Sequence, residues 1–172
     1  MKSKNMALCA LFAALLTLCA WLCIPVGDTV FTLQTFGVAL ALLLLNGKRG
    51  SISVFVYLLL GTVGLPVFTG FRGGPGMLLG ATGGYIMGFL VWALLYWLVT
   101  ALAPRQRIPA MVLGLIACYA FGSFWFYRFY LTEGTAMGIG LVLLKCVVPY
   151  LLPDALKISL AFLLTSRLKR FV

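Results

Sequence analysis

Residues 6–24 read MALCALFAALLTLCAWLCI, nineteen positions without a charge behind Lys2 and Lys4. A membrane-spanning helix needs about 20 apolar residues. A secretory signal has a shorter core and a small-x-small cleavage site, and none precedes Pro25. The stretch reads as a first transmembrane helix, ended by Pro25 and Gly27, and it sets the class of the fold. The rest of the chain repeats the pattern. A segment with Asp28 leads to an apolar run over about 33–45, stopped by Asn46-Gly47-Lys48-Arg49-Gly50. Uncharged runs follow over 51–68, 82–103 and 109–127, separated by a Gly-rich stretch and by the basic turn Pro104-Arg105-Gln106-Arg107. The last of these closes on Phe124-Trp125-Phe126-Tyr127, an aromatic composition suited to the headgroup boundary.

Composition agrees. The chain is 63% hydrophobic and 9% charged, with a mean hydropathy of +1.13, whereas soluble domains carry about 25% charged residues. Six spans of about 20 residues use most of the 172 positions, so one polytopic membrane domain over residues 1–172 is expected, with no room for an ATPase. Thirteen Lys and Arg face only Asp28, Glu133 and Asp154, a net charge of +10. In a soluble protein that balance would suggest nucleic acid. Here the charges punctuate apolar runs, so the expected environment is membrane lipid and no nucleic-acid partner is expected. The absence of histidine removes His-based metal sites and Ser-His or Cys-His chemistry. No catalytic residue, metal or cofactor is expected, and the chain does not read as an enzyme. Cys9, Cys19, Cys23, Cys118 and Cys146 form no CxxC pair and read as buried thiols, with Cys19 and Cys23 on one helix face.

The C-terminal third is less regular. Residues 135–152 are apolar but contain Lys145, and residues 154–166 are apolar but contain Lys157. One continuous helix would be about 48 Å long at 1.5 Å per residue, too long for a core of roughly 30 Å. Pro149 and Pro153 also oppose continuity. The reading is a short helix at the outer face, a Pro-bounded break, and a sixth span starting near Asp154. With both termini in the cytoplasm, the inner segments hold Lys2, Lys4, Lys48, Arg49, Arg105, Arg107, Arg167, Lys169 and Arg170, as the positive-inside rule requires.

Three places carry polar chemistry. In Pro149-Tyr150-Leu151-Leu152-Pro153-Asp154-Ala155-Leu156-Lys157, Asp154 and Lys157 are neighbours on one helix face. They read either as an N-cap with its ion-pair partner or as a ligand site, because ionisable groups in membrane segments usually face an interior pathway. The stretch Gly70-Phe71-Arg72-Gly73-Gly74-Pro75-Gly76-Met77-Leu78-Leu79-Gly80-Ala81-Thr82-Gly83-Gly84-Tyr85 is not a phosphate loop. Gly80, Gly84 and Gly88 recur every fourth residue as a helix-packing face, and Arg72 is an outer cation able to hold a carboxylate. In the first helix, Ala10 and Ala14 form a small-x-x-x-small face, either for internal packing or for docking another membrane helix. Gln34, in Thr32-Leu33-Gln34-Thr35-Phe36, reads as an interfacial residue.

Together these residues resemble the BioY family, the biotin-specific substrate-binding (S) components of energy-coupling factor (ECF) transporters. The resemblance rests on Phe31-Thr32-Leu33-Gln34-Thr35-Phe36, Tyr57-Leu58-Leu59-Leu60-Gly61 with Gly64-Leu65-Pro66-Val67-Phe68, Gly80-Ala81-Thr82-Gly83-Gly84-Tyr85 with Gly88-Phe89, and Asp154-x-x-Lys157. The family commonly has Pro where Ala81 stands. It implies an all-α fold of six transmembrane helices in a bacterial plasma membrane, a biotin pocket open to the outside, and contact of Ala10 and Ala14 with a T component that works with two ATP-binding subunits. For such a ligand, Asp154 and Lys157 suit the ureido ring, and Phe68, Tyr85 and Trp125 suit its apolar bicycle. Arg72, then Lys145 and Gln34, suit the carboxylate, and Thr82 of the Gly-rich stretch joins the expected substrate-binding residues. An S component for another vitamin and a stand-alone biotin transporter are the alternatives.

Overall fold

The structure, a computed structural model, describes residues 3–26, 29–134 and 138–169. The expectations placed on Lys2, Gly27, Asp28, Arg170 and the start of the run from Thr135 lie outside the described residues. The chain is all-α apart from one small hairpin. Its elements are α1 (Ser3–Trp21), β1 (Cys23–Val26), β2 (Thr29–Thr32), α2 (Gln34–Val63), α3 (Pro75–Leu79), α4 (Gly83–Leu102), α5 (Arg107–Thr132), α6 (Ile139–Cys146) and α7 (Val148–Leu168). Among the described residues five stretches are long and apolar enough to cross a membrane: α1, α2, α4, α5 and the α6–α7 pair.

The second of these is two rods. Asn46 leaves helical geometry at φ 66°, ψ 164°, and the chain turns back there. A Cβ added to Gly50 would lie 2.8 Å from the Cα of Leu42, although residues eight apart in a straight helix are separated by about 12 Å. Only a residue without a side chain lets the two arms, 34–45 and 47–63, approach so closely. Ser51 ties the turn to α4, donating to the carbonyls of Gly47 (2.8 Å) and Ala93 (2.9 Å). The Asn-Gly-Lys-Arg-Gly stop read from the sequence is therefore a reversal, and α2 contributes two arms to the bundle.

Several boundaries differ from expectation. The first helix ends at Trp21, not Ile24, and β1 pairs antiparallel with β2. Pro25 forbids helix, and the β-branched residues around it favour extended backbone. Cys23 thus lies on a strand and shares no helix face with Cys19. The arm ending at Val63 stops short of Phe68 because Gly64 adopts φ 110° and caps it. Gly80 precedes α4 rather than belonging to its packing face. α5 continues five residues beyond Tyr127, carrying the aromatic cluster inside the helix.

The largest correction concerns the last span. The break falls at Val147 (φ −121°, ψ −54°), so α7 starts six residues before Asp154 and Pro153 lies inside it. Pro149 sits in the first turn, where its missing N–H costs nothing. Pro153 merely leaves the Pro149 carbonyl without its helical donor, a defect that membrane helices tolerate. The 21 residues of α7 give about 31 Å, enough to cross alone, and α6 remains as the short helix before it.

α2 lies at the centre. In its apolar window 72% of residues are buried within the protein, against 11% for the α6–α7 stretch. Leu42, Leu43, Leu45, Val54 and Tyr57 of α2 form one core with Leu16 of α1, Trp92 and Tyr96 of α4, Met111 of α5 and Ala161 of α7. The helix ends alternate, so Ser3, Asn46, Leu102, Arg107 and Lys169 share one end of the bundle. The hairpin, the 64–82 loop and the start of α7 share the other.

Candidate ligand-binding site

α7 brings Asp154 and Lys157 into the bundle. Asp154 is 3% exposed, and Lys157 Nζ lies 2.8 Å from its Oδ1. Tyr119 of α5 donates its hydroxyl to the other oxygen, Oδ2, at 2.6 Å. Asp154 is therefore not an N-cap, since it stands a turn and a half inside the helix. Burying a carboxylate is costly unless it is paired and hydrogen-bonded, and here both oxygens are engaged. The Lys157 ammonium carries three donors and spends one on Asp154, so donors remain for a ligand carbonyl. The carboxylate in turn retains lone pairs for ligand N–H groups.

Beside this pair, α4 and α5 supply an aromatic wall. Tyr85 and Ser123 share a hydroxyl–hydroxyl bond of 3.0 Å. Trp125 donates its indole N–H to the Gly80 carbonyl at 3.0 Å. Both rings fit because glycine faces them: a Cβ on Gly122 would lie 2.2 Å from the Tyr85 ring, and one on Gly84 2.2 Å from Cβ of Trp125. The Cys118 thiol reaches the Tyr85 carbonyl at 3.8 Å. Of the expected residues, Asp154 and Lys157 pair on α7 and meet α5 through Tyr119, while Tyr85 and Trp125 lie in the seam between α4 and α5.

A second polar group closes the same end. Gln34 is buried, not interfacial. Its amide donates to the Tyr57 hydroxyl (2.8 Å), and its carbonyl accepts from Thr32 (3.0 Å) and Thr69 (3.3 Å). Phe68 is fully buried, edge-on to Tyr57 with 5.5 Å between ring centroids. Its N–H donates to the Arg72 carbonyl, which holds the Arg72 side chain at the exposed tip of the loop. Thr82 is also exposed, at the N-terminus of α4. The hairpin meets α7 where Tyr150 donates to the Val30 carbonyl at 3.2 Å and stacks on Phe31.

Tyr119, Ser123, Tyr57 and Thr69 escaped the sequence reading. A signal existed for the first two: Tyr119 and Ser123 are four apart, a polar pair on one face of an otherwise apolar helix. Among the described residues no group of three His, Cys, Asp or Glu side chains could hold a metal.

The BioY family model matches residues 1–172. The chain belongs to the BioY family. This BioY chain is 36% identical over 169 residues to a probable biotin transporter BioY of Pyrococcus horikoshii, covering 98% of both chains. It is 37% identical over 166 residues to the biotin transporter BioY of Thermotoga maritima, covering 93% of this chain and 92% of that one. Its fold matches a crystal structure of the S-component for biotin from an ECF-type ABC transporter, with a TM-score of 0.83 and 27% identity, over 99% of this chain and 93% of the other. As a BioY protein with five apolar helical stretches, it is a multi-pass membrane protein of the plasma membrane. In this BioY chain Ala10 and Ala14 are exposed on α1. They border a groove of about 340 Å³ completed by Thr17, Leu18, Trp21 and Leu60.

Proposed function

We propose that the chain is the biotin-binding S component of an ECF-type importer, formed as one membrane domain of six crossings with both termini in the cytoplasm. The observation that carries this reading is the buried Asp154–Lys157 pair, held by Tyr119 among apolar helices. Biotin's ureido ring presents one carbonyl acceptor and two N–H donors, the complement of Lys157 and Asp154. Hydrogen bonds to charged groups are about twice as strong as neutral ones. Tyr85 and Trp125 flank the bicycle, Phe68 backs the loop over it, and Gln34, Thr82 and Arg72 serve the valerate tail. Arg72 is the cation for the carboxylate.

The seven described Lys and Arg of the charged end (Lys4, Lys48, Arg49, Arg105, Arg107, Arg167 and Lys169) face the cytoplasm, which sets the pocket toward the outside. No Walker motif occurs in the sequence, so energy comes from two ATP-binding subunits through a T component docked on Ala10 and Ala14. The loaded protein then reorients against that subunit to release biotin inward. Mass spectrometry of small molecules co-purifying with the protein tests the ligand, supported by a vitamin panel in detergent. Saturable binding of biotin alone is expected. Preference for another vitamin would overturn the assignment.

A further inference from the structure

The end of the bundle opposite Asp154 holds a second cavity, of about 120 Å³, lined by Asn46, Gly47, Tyr96, Thr100, Pro104 and Arg107. Its size corresponds to about four waters at roughly 30 Å³ each. That admits a small oxyanion group and is well below the 300 Å³ or so of a pocket for a drug-sized molecule.

Two of its lining side chains, Tyr96 and Arg107, have no hydrogen-bond partner among the described residues. Tyr96 is 2% exposed and lines the cavity; its hydroxyl makes no hydrogen bond among the described residues and is open to the cavity rather than sealed in the core. Arg107 is half-buried, close enough to Tyr96 to act on it electrostatically, and meets no carboxylate among the described residues. The two described acids, Glu133 and Asp154, are both at the far end. Lys169 is pushed below the usual lysine range, first by burial and then by Arg107, so two cations crowd one place.

The backbone adds to this. Arg107 is the first residue of the 26-residue α5, whose N-cap Gln106 makes no side-chain capping bond. The amides of Arg107 and Ile108 therefore end a long helix dipole uncapped, an arrangement that favours anions. Asn46 adds a side-chain amide at the rim. Thr100 is spent on the Tyr96 and Trp97 carbonyls and contributes only a wall.

We propose that this cavity binds a phosphate group, held by the Arg107 guanidinium, the Tyr96 hydroxyl and the amide end of α5. Tyr96 lies six residues before the end of α4, about 9 Å along the axis. A phosphate reaching it enters from the charged end, either on a lipid headgroup or free in solution.

Delipidated protein in neutral detergent, titrated calorimetrically with short-chain phosphatidylglycerol and separately with inorganic phosphate, tests the site. One saturable site is expected, weakened at least tenfold by Arg107→Gln and several-fold by Tyr96→Phe, with monodisperse elution as the fold control. Response to the lipid alone identifies a headgroup site, and response to both probes a phosphate site. If Arg107→Gln fails to fold, the isosteric Tyr96→Phe decides. Absence of saturable binding of either probe, or equal affinity in wild type and folded variants, overturns the proposal.

Discussion

Lys157 Nζ stands 2.8 Å from Asp154 Oδ1, one turn further along α7, and the hydroxyl of Tyr119 reaches the opposite oxygen of the same carboxylate. The pair is buried among apolar helices, where each partner is the other's counter-charge. A ligand that bonds to both adds donors and acceptors to a site already desolvated.

Asp154→Asn and Lys157→Ala each remove a charge-assisted bond worth about 1.5–3 kcal/mol. Biotin affinity in detergent is expected to fall roughly 10- to 100-fold in each, with elution profiles unchanged. Wild-type affinity in both variants would sink the ureido assignment.

Tyr119→Phe removes one hydroxyl and keeps the ring. The Asp154 carboxylate then keeps only Lys157, and biotin binding is expected to weaken about tenfold, corresponding to about 1.4 kcal/mol. Calorimetric titration reads the change, and an unaltered dissociation constant would show Tyr119 to be mere packing.

Gly122→Ala drives a methyl group into the Tyr85 ring. Overpacking costs typically about 1–3 kcal/mol, so both melting temperature and biotin affinity should fall. Gly140→Ala is the control. Nothing lies within 4 Å of a Cβ there, and replacing a helical glycine gains about 0.5–1 kcal/mol. Equal effects at the two positions would contradict the contact between α4 and α5.

Bulky residues at Ala10 and Ala14 are expected to leave biotin binding intact and abolish uptake in cells carrying the full transporter. Both positions are exposed on α1, so the bundle itself loses no packing. Undiminished uptake by Ala14→Trp would remove the docking role.

Asn46→Gly should raise stability by about 1 kcal/mol, because φ 66°, ψ 164° is a region populated almost only by glycine and costs other residues about 1–3 kcal/mol. Denaturation in mixed micelles measures it. A less stable variant would mean that the asparagine side chain contributes more than its backbone strain costs.

Much of this was legible in the sequence for identifiable reasons. Charge marked the turns at Lys48-Arg49 and Arg105-Arg107, and the i, i+3 spacing of Asp154 and Lys157 survived an error of six residues in the helix start. That error came from treating Pro153 as a breaker, a rule that weakens where neighbouring helices support the backbone. Phe68 was assigned to a helix because apolarity does not distinguish a helix from a buried loop. Tyr119 was overlooked because its partner lies 35 positions away in sequence, a separation that no local pattern reports.

The enclosure of α2 and the openness of α7 have a kinetic consequence. The two residues assigned to the ureido ring ride on the least enclosed stretch of the bundle, and α2 behind them is the most enclosed. A bound molecule bridging α7 to Tyr119 and Tyr85 is then part of what fastens that stretch. The empty protein should exchange the amide hydrogens of α7 long before those of α2, and occupancy should slow the first while leaving the second untouched. Cargo would be sensed as the stiffness of a single helix.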